Sequence, residues 1–85
     1  MSEAFRTVVN SNVDRDARLA AIERLVERGE KTNLRVLVQT AGLRGTFRRQ
    51  ALEGLVETNA RAELQLLAED RALESSLRKE AQRAV

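Results

Sequence analysis

The sequence predicts an all-α protein, a short α-solenoid of about six helices stacked as antiparallel pairs. Three observations predict it. The 85-residue chain has no proline, only two aromatic residues and 42% hydrophobic content rich in Leu, Ala and Val, a composition that favours helix over strand. Apolar residues recur at three- and four-residue spacing, which makes one face of a helix. The same pattern also returns at an offset of thirty residues, and internal periods of this size mark stacked helical arrays.

The clearest copy is Thr46 to Thr58. Thirty residues earlier it stands as Asp16 to Arg28, and thirty later, cut short, as Ser76 to Val85. Arg18, Arg48 and Arg78 coincide, as do Ala21, Ala51 and Ala81. Glu23 matches Glu53, Leu25 matches Leu55 and Val26 matches Val56. Leu34 matches Leu64, Leu37 matches Leu67, and Val13 falls with Leu43 and Leu73. No gap is needed from Val13 to Val85.

Each period contains two helices. The first, A, runs over roughly Ala17 to Arg28, with Leu19, Ala21, Ile22, Leu25 and Val26 on its apolar face. Asp16, Thr46 and Ser76 are the expected N-caps, residue types that accept a bond from an orphan N–H of the first turn. Gly29 and its equivalent Asn59 end the A helices in the left-handed conformation. The second helix, B, follows at about Glu30 to Thr40 and Ala60 to Glu69, with Leu34, Leu37 and Val38 matched by Leu64, Leu67 and Ala68. So short an A-to-B turn makes an antiparallel pair. The alanines at 21, 51 and 81 are expected where the helices of a pair come closest.

The chain opens with a lone B-like helix, about Glu3 to Asn10, in which Phe5, Val8 and Val9 match Leu34, Leu37 and Val38 with one residue deleted. It closes with a lone A-like helix, about Ser76 to Ala84. There Gln82 replaces Ile22 and Leu52, a polar residue suited to an end with nothing stacked beyond it. One domain, residues 1–85, is expected: 1–15 as the lone helix and loop, 16–45 and 46–75 as repeats, and 76–85 as a half-repeat. A domain this small buries only roughly 60% of its unfolded surface, so every layer of its core counts.

Cysteine and histidine are absent. Disulfides and thiolate chemistry are thereby excluded, and so are the commonest metal ligand and general base. No apolar run reaches membrane-span length and the N-terminus lacks a signal peptide's apolar core, so a soluble cytoplasmic protein is expected. Charge is balanced, 15 basic against 13 acidic residues. The pI of 9.9 follows from the lack of groups that titrate between carboxylates and lysines.

The pattern resembles HEAT-like repeats of the short, thirty-residue kind first described in phycobilin lyases. The residues that carry the resemblance are Phe47-Arg48, Ala51-Leu52, Asn59 and Leu66-Leu67. They recur as Ala17-Arg18, Ala21-Ile22, Gly29 and Val36-Leu37, and as Leu77-Arg78 and Ala81. It covers nearly the whole chain; the loops between repeats are shorter than the family's and lack its prolines and clustered aspartates. The resemblance implies a right-handed helical superhelix with a concave surface of B helices that binds other proteins.

Arg18, Arg48 and Arg78 carry two readings. They form either a basic row for an anionic partner or a ladder in which each Arg bonds a neighbouring carbonyl or carboxylate; the resemblance favours the ladder. An Arg at a helix N-terminus opposes the macrodipole and needs a compensating partner. Arg44, Arg48 and Arg49 make the densest basic cluster and the alternative site, for sequence-blind nucleic-acid binding through phosphates. Alkylpurine DNA glycosylases built from similar repeats bind DNA on a basic concave face, but their aromatic and acidic pocket residues have no counterpart here.

The row Thr7, Val36 and Leu66 lies beside the main apolar face of the B helices. Val36 and Leu66 either anchor a partner there or pack on the next repeat. Arg35, Gln39, Arg61, Gln65 and Glu69 would form the polar rim. Glu23 with Glu27, and Glu53 with Glu57, are paired carboxylates that a solvated helix face explains. No catalytic, cofactor-binding or metal-binding residue is identified. The expected function is a non-enzymatic protein–protein interaction scaffold that binds a protein or peptide on its B-helix face. The alternatives are nucleic-acid binding through Arg44–Arg49 and a regulatory subunit of an enzyme complex. The two end faces of so short an array also leave room for self-association.

Overall fold

A computed structural model describes residues 2–85; Met1, counted in the expected domain and N-terminal stretch, lies outside the described residues. Six helices follow in order: α1 (Glu3–Val9), α2 (Arg15–Glu27), α3 (Lys31–Val38), α4 (Gly45–Glu57), α5 (Arg61–Ala68) and α6 (Ser75–Ala84). Among the described residues there is no strand, and the all-α expectation holds.

The helix starts differ from expectation. The N-caps are Asp14, Arg44 and Glu74, two residues before Asp16, Thr46 and Ser76. Asp14 caps in the expected manner, its Oδ1 accepting from the Ala17 N–H at 2.8 Å. Arg44 and Glu74 make no side-chain cap bond. Asp16 falls instead in the first turn of α2, where its charge still complements the macrodipole. The starts are in register at thirty residues, but one capping side chain serves where three were expected.

The A-to-B turns form as expected. Gly29 (φ 66°) and Asn59 (φ 52°) are left-handed. The Glu30 N–H donates to the Leu25 carbonyl and the Ala60 N–H to the Leu55 carbonyl, both at 3.0 Å. Gly29 and Asn59 donate to Val26 and Val56 at 3.1 Å, which completes the paired bonds of a Schellman end. The other turns repeat as closely. Val13, Leu43 and Leu73 donate their N–H groups to the carbonyls of Asn10, Thr40 and Asp70 at 3.1, 3.0 and 3.1 Å.

The helices pair most extensively as α1 with α2, α3 with α4 and α5 with α6, across the longer turns rather than the tight ones. The terminal helices are therefore not lone. α2 also packs on α4, α4 on α6, and α3 on α5, so successive pairs follow one another in chain order. Register at the N-terminus needs no deletion either: Val8, not Val9, stands thirty residues before Val38 and is fully buried like it, while Val9 is 40% exposed. Phe5 is buried as an additional bulky residue beside Ala4, which holds the place of Leu34.

One continuous core joins all six helices, with Phe47, Ile22, Leu25, Leu34, Leu37, Leu52, Leu55, Leu64 and Leu67 wholly buried. Each such side chain contributes about 1.5–3 kcal/mol of transfer free energy. α1, α3 and α5 have only seven or eight residues each. Helices that short are unstable alone, so packing against the longer helices holds them. Ala21, Ala51 and Ala81 are fully buried.

Candidate functional site

The arginine row is resolved by its hydrogen bonds. Arg18 Nε donates to the Val8 carbonyl at 2.8 Å, and Arg48 Nε to the Val38 carbonyl at 2.9 Å. Both acceptors lie at the end of the preceding short helix, so each guanidinium satisfies an orphan carbonyl and meets the negative end of that helix. Arg18 is only 8% exposed, and its guanidinium carbon lies 4.2 Å from the Phe47 ring centroid. The third position departs. The Ala68 carbonyl accepts from Gln82 Nε2 at 3.1 Å, and Arg78 makes only a 3.3 Å bond from Nη1 to Leu73.

The basic stretch does not act as one unit. Arg48 is held by Val38, Arg49 Nη1 pairs with Glu80 Oε1 at 2.9 Å, and exposed Arg44 lies near the Phe47 ring, 5.8 Å from its centroid.

On the α3 and α5 surface, the residues singled out from sequence fall into two kinds. Arg35 pairs with Glu63 and donates from Nη1 to Gln39 Oε1 at 2.8 Å, and Gln39 Nε2 donates to Asp70 Oδ2 at 3.1 Å. This Glu63–Arg35–Gln39–Asp70 chain ties α3 to α5 and to the turn beyond it. The Arg35 and Glu63 side chains are 23% and 18% exposed, so screening by solvent is limited. Gln65 Nε2 bonds Glu69 Oε2 at 2.7 Å along α5, and Arg61 is exposed. Val36 packs partly on the core, whereas Leu66 is 50% exposed, the most of any large apolar side chain among the described residues. The row thus divides: Val36 goes to packing and Leu66 to the surface, with Thr7 half-buried at its start.

Glu63 and Asp70, the partners that organise this network, were not identified from sequence. Their pairing crosses between helices at separations of 28 and 31 residues, so a thirty-residue alignment does not bring them together.

A concavity of about 710 Å³ lies along α2, α4 and α6, on the other set of helices. Val56 and Ala84 line it together with Glu23, Glu53, Glu57, Glu80, Gln50 and Arg83. Val56 is 44% exposed, although its equivalent Val26 packs on the core. Val26 meets α4 at Gly54, whereas α6 packs less extensively on α4 and leaves Val56 in the groove beside Ala84. Among the described residues no three His, Cys, Asp or Glu side chains converge to hold a metal ion, and no helix is long and apolar enough to cross a membrane.

Comparison with known proteins adds no relative: no family model, no curated protein and no solved structure matches this chain.

Proposed function

We propose that the chain is a short solenoid of HEAT-like repeats and serves as a non-enzymatic protein–protein interaction scaffold. In this reading a protein or peptide binds on the face built by α1, α3 and α5. The observation that carries it is Leu66, a half-exposed leucine in the middle of α5, beside polar side chains already fixed by Arg35–Glu63 and Gln39–Asp70. An exposed apolar anchor inside a preorganised polar rim suits helix or peptide docking, because little side-chain freedom remains to be lost on binding. The solenoid reading is supported by backbone hydrogen bonds that recur at a thirty-residue offset in the turns and by the Arg18 and Arg48 bonds. A cytoplasmic setting belongs to the same reading.

The nucleic-acid alternative loses support because Arg48 and Arg49 have intramolecular partners. No observation favours a regulatory subunit separately.

The test places a photo-crosslinking amino acid at position 66, and at exposed position 79 on α6 as a control, in cells of the native host. The partner captured from position 66 is then purified and titrated against wild type and Leu66→Asp. Expected are capture from position 66 and not 79, and a tenfold or greater loss of affinity in a folded Leu66→Asp. Equal affinity of the two proteins would remove this face from consideration.

A further inference from the structure

The groove along α2, α4 and α6 has a chemistry of its own. Its rim carries the carboxylates of Glu23, Glu53, Glu57 and Glu80 against a single lining guanidinium, Arg83. Glu23 accepts from Gln50 Nε2 at 2.8 Å and Glu80 from Arg49 at 2.9 Å. Glu53 and Glu57 make no ion pair among the described residues. They stand four residues apart on one helix with Val56 between them in sequence, and like charges at that spacing repel.

Glu57 is also the last residue of α4, where the macrodipole is negative, and the last turn of α4 carries no basic residue. The comparison with α2 is informative. Its equivalent carboxylates, Glu23 and Glu27, are interleaved with Arg24 and Arg28. At the same places α4 has Gly54 and Thr58, and Gly54 is needed there because Val26 leaves no room for a side chain. α4 therefore presents uncompensated negative charge beside an exposed valine.

We propose that this groove docks a basic amphipathic helical segment of a partner protein, with one apolar side chain on Val56 and Ala84 and flanking Lys or Arg against Glu53 and Glu57. Charge complementarity fixes the sign of the occupant: a cationic segment relieves repulsion already present, whereas nucleic acids and anionic lipid surfaces are repelled. The volume of about 710 Å³ holds several side chains rather than one ion. A groove between helices, with no strand among the described residues to extend, suits a helix rather than an added strand. This surface is separate from the one that presents Leu66, and neither reading depends on the other.

The probe is a fluorescein-labelled peptide repeating Leu-Lys-Lys-Ala over four units, titrated by anisotropy at low and at physiological salt. Binding is mapped by amide chemical-shift changes on the full chain. Expected are shifts centred on Glu53, Val56 and Ala84, weakening with salt, and an affinity loss of about tenfold or more in Glu53→Lys/Glu57→Lys. Glu57→Gln should lose less, and Leu66→Asp should bind as wild type. Both glutamates are exposed, and unchanged circular dichroism verifies folding. Absence of binding at low salt, shifts centred on α3 and α5, or equal affinity of the charge-reversed protein each overturns the proposal.

Discussion

A Cβ on Gly54 would lie 2.6 Å from Val26 Cγ2. That separation is well inside van der Waals contact, so α4 approaches α2 as closely as it does only because residue 54 has no side chain. Glycine within a helix ordinarily costs about 1 kcal/mol relative to alanine. Here the close approach outweighs that cost, since the β-branched Val26 is stiff in a helix and cannot swing aside. Gly54→Ala should destabilise by about 1–2 kcal/mol. In a Val26→Ala background the same substitution should stabilise, because the obstruction has gone and the propensity gain remains. Urea unfolding of the four proteins measures the change of sign.

The arginines at 18, 48 and 78 share a sequence position but not a role. Replacing Arg18 by Met leaves the buried Val8 carbonyl unpaired and removes the contact with the Phe47 ring. A loss of about 1–3 kcal/mol is expected. Arg48→Met should cost a similar amount through Val38. Arg78→Met should fall within about 0.5 kcal/mol, since Gln82 already serves the Ala68 carbonyl. Equal melting temperatures for the three variants would mean that these bonds do not contribute to stability.

Ala51 is wholly buried between packed helices. Ala51→Leu adds methylenes where no space exists, and a loss of about 1–3 kcal/mol is expected. Ala20→Leu, on the exposed side of α2, serves as the control and should change little in calorimetry.

Gln82 occupies the place of Ile22 and Leu52 but faces solvent, with its amide on the Ala68 carbonyl. Gln82→Leu would expose an apolar side chain on the end of the last helix pair and free that carbonyl. The variant should sediment as a larger, concentration-dependent species than wild type, with helicity retained. Identical sedimentation would show that this end does not need its polar residue.

The helices were legible because periodicity and the left-handed turns at Gly29 and Asn59 are local properties of the chain. The caps were less so. Thr46 and Ser76 are good capping types, yet the helices begin two residues earlier behind Arg44 and Glu74, since packing of the buried face sets where a helix starts when no cap bond is made. The register of Val8 was obscured by Phe5, an apolar residue that mimics a shifted pattern. At the surface, Arg35 and Gln39 were found but their partners Glu63 and Asp70 were not, because ion pairing between helices is set by how the helices lie. The contrast between Val26 and Val56 was hidden for the same reason: each stands between a Leu and a Glu in sequence, but the following helix covers them differently.

A chain in which residues 44–73 were written twice would meet familiar surroundings at each new joint. Leu43 and Leu73 close the same backbone turn, so the seam falls where the geometry is already shared. Val56 of the first copy would find a glycine opposite it, as Val26 does now. The Ala68 carbonyl of the first copy would receive an arginine instead of the Gln82 amide. On the solenoid reading proposed above, lengthening by whole units rests on the close seat that Val26 finds on Gly54.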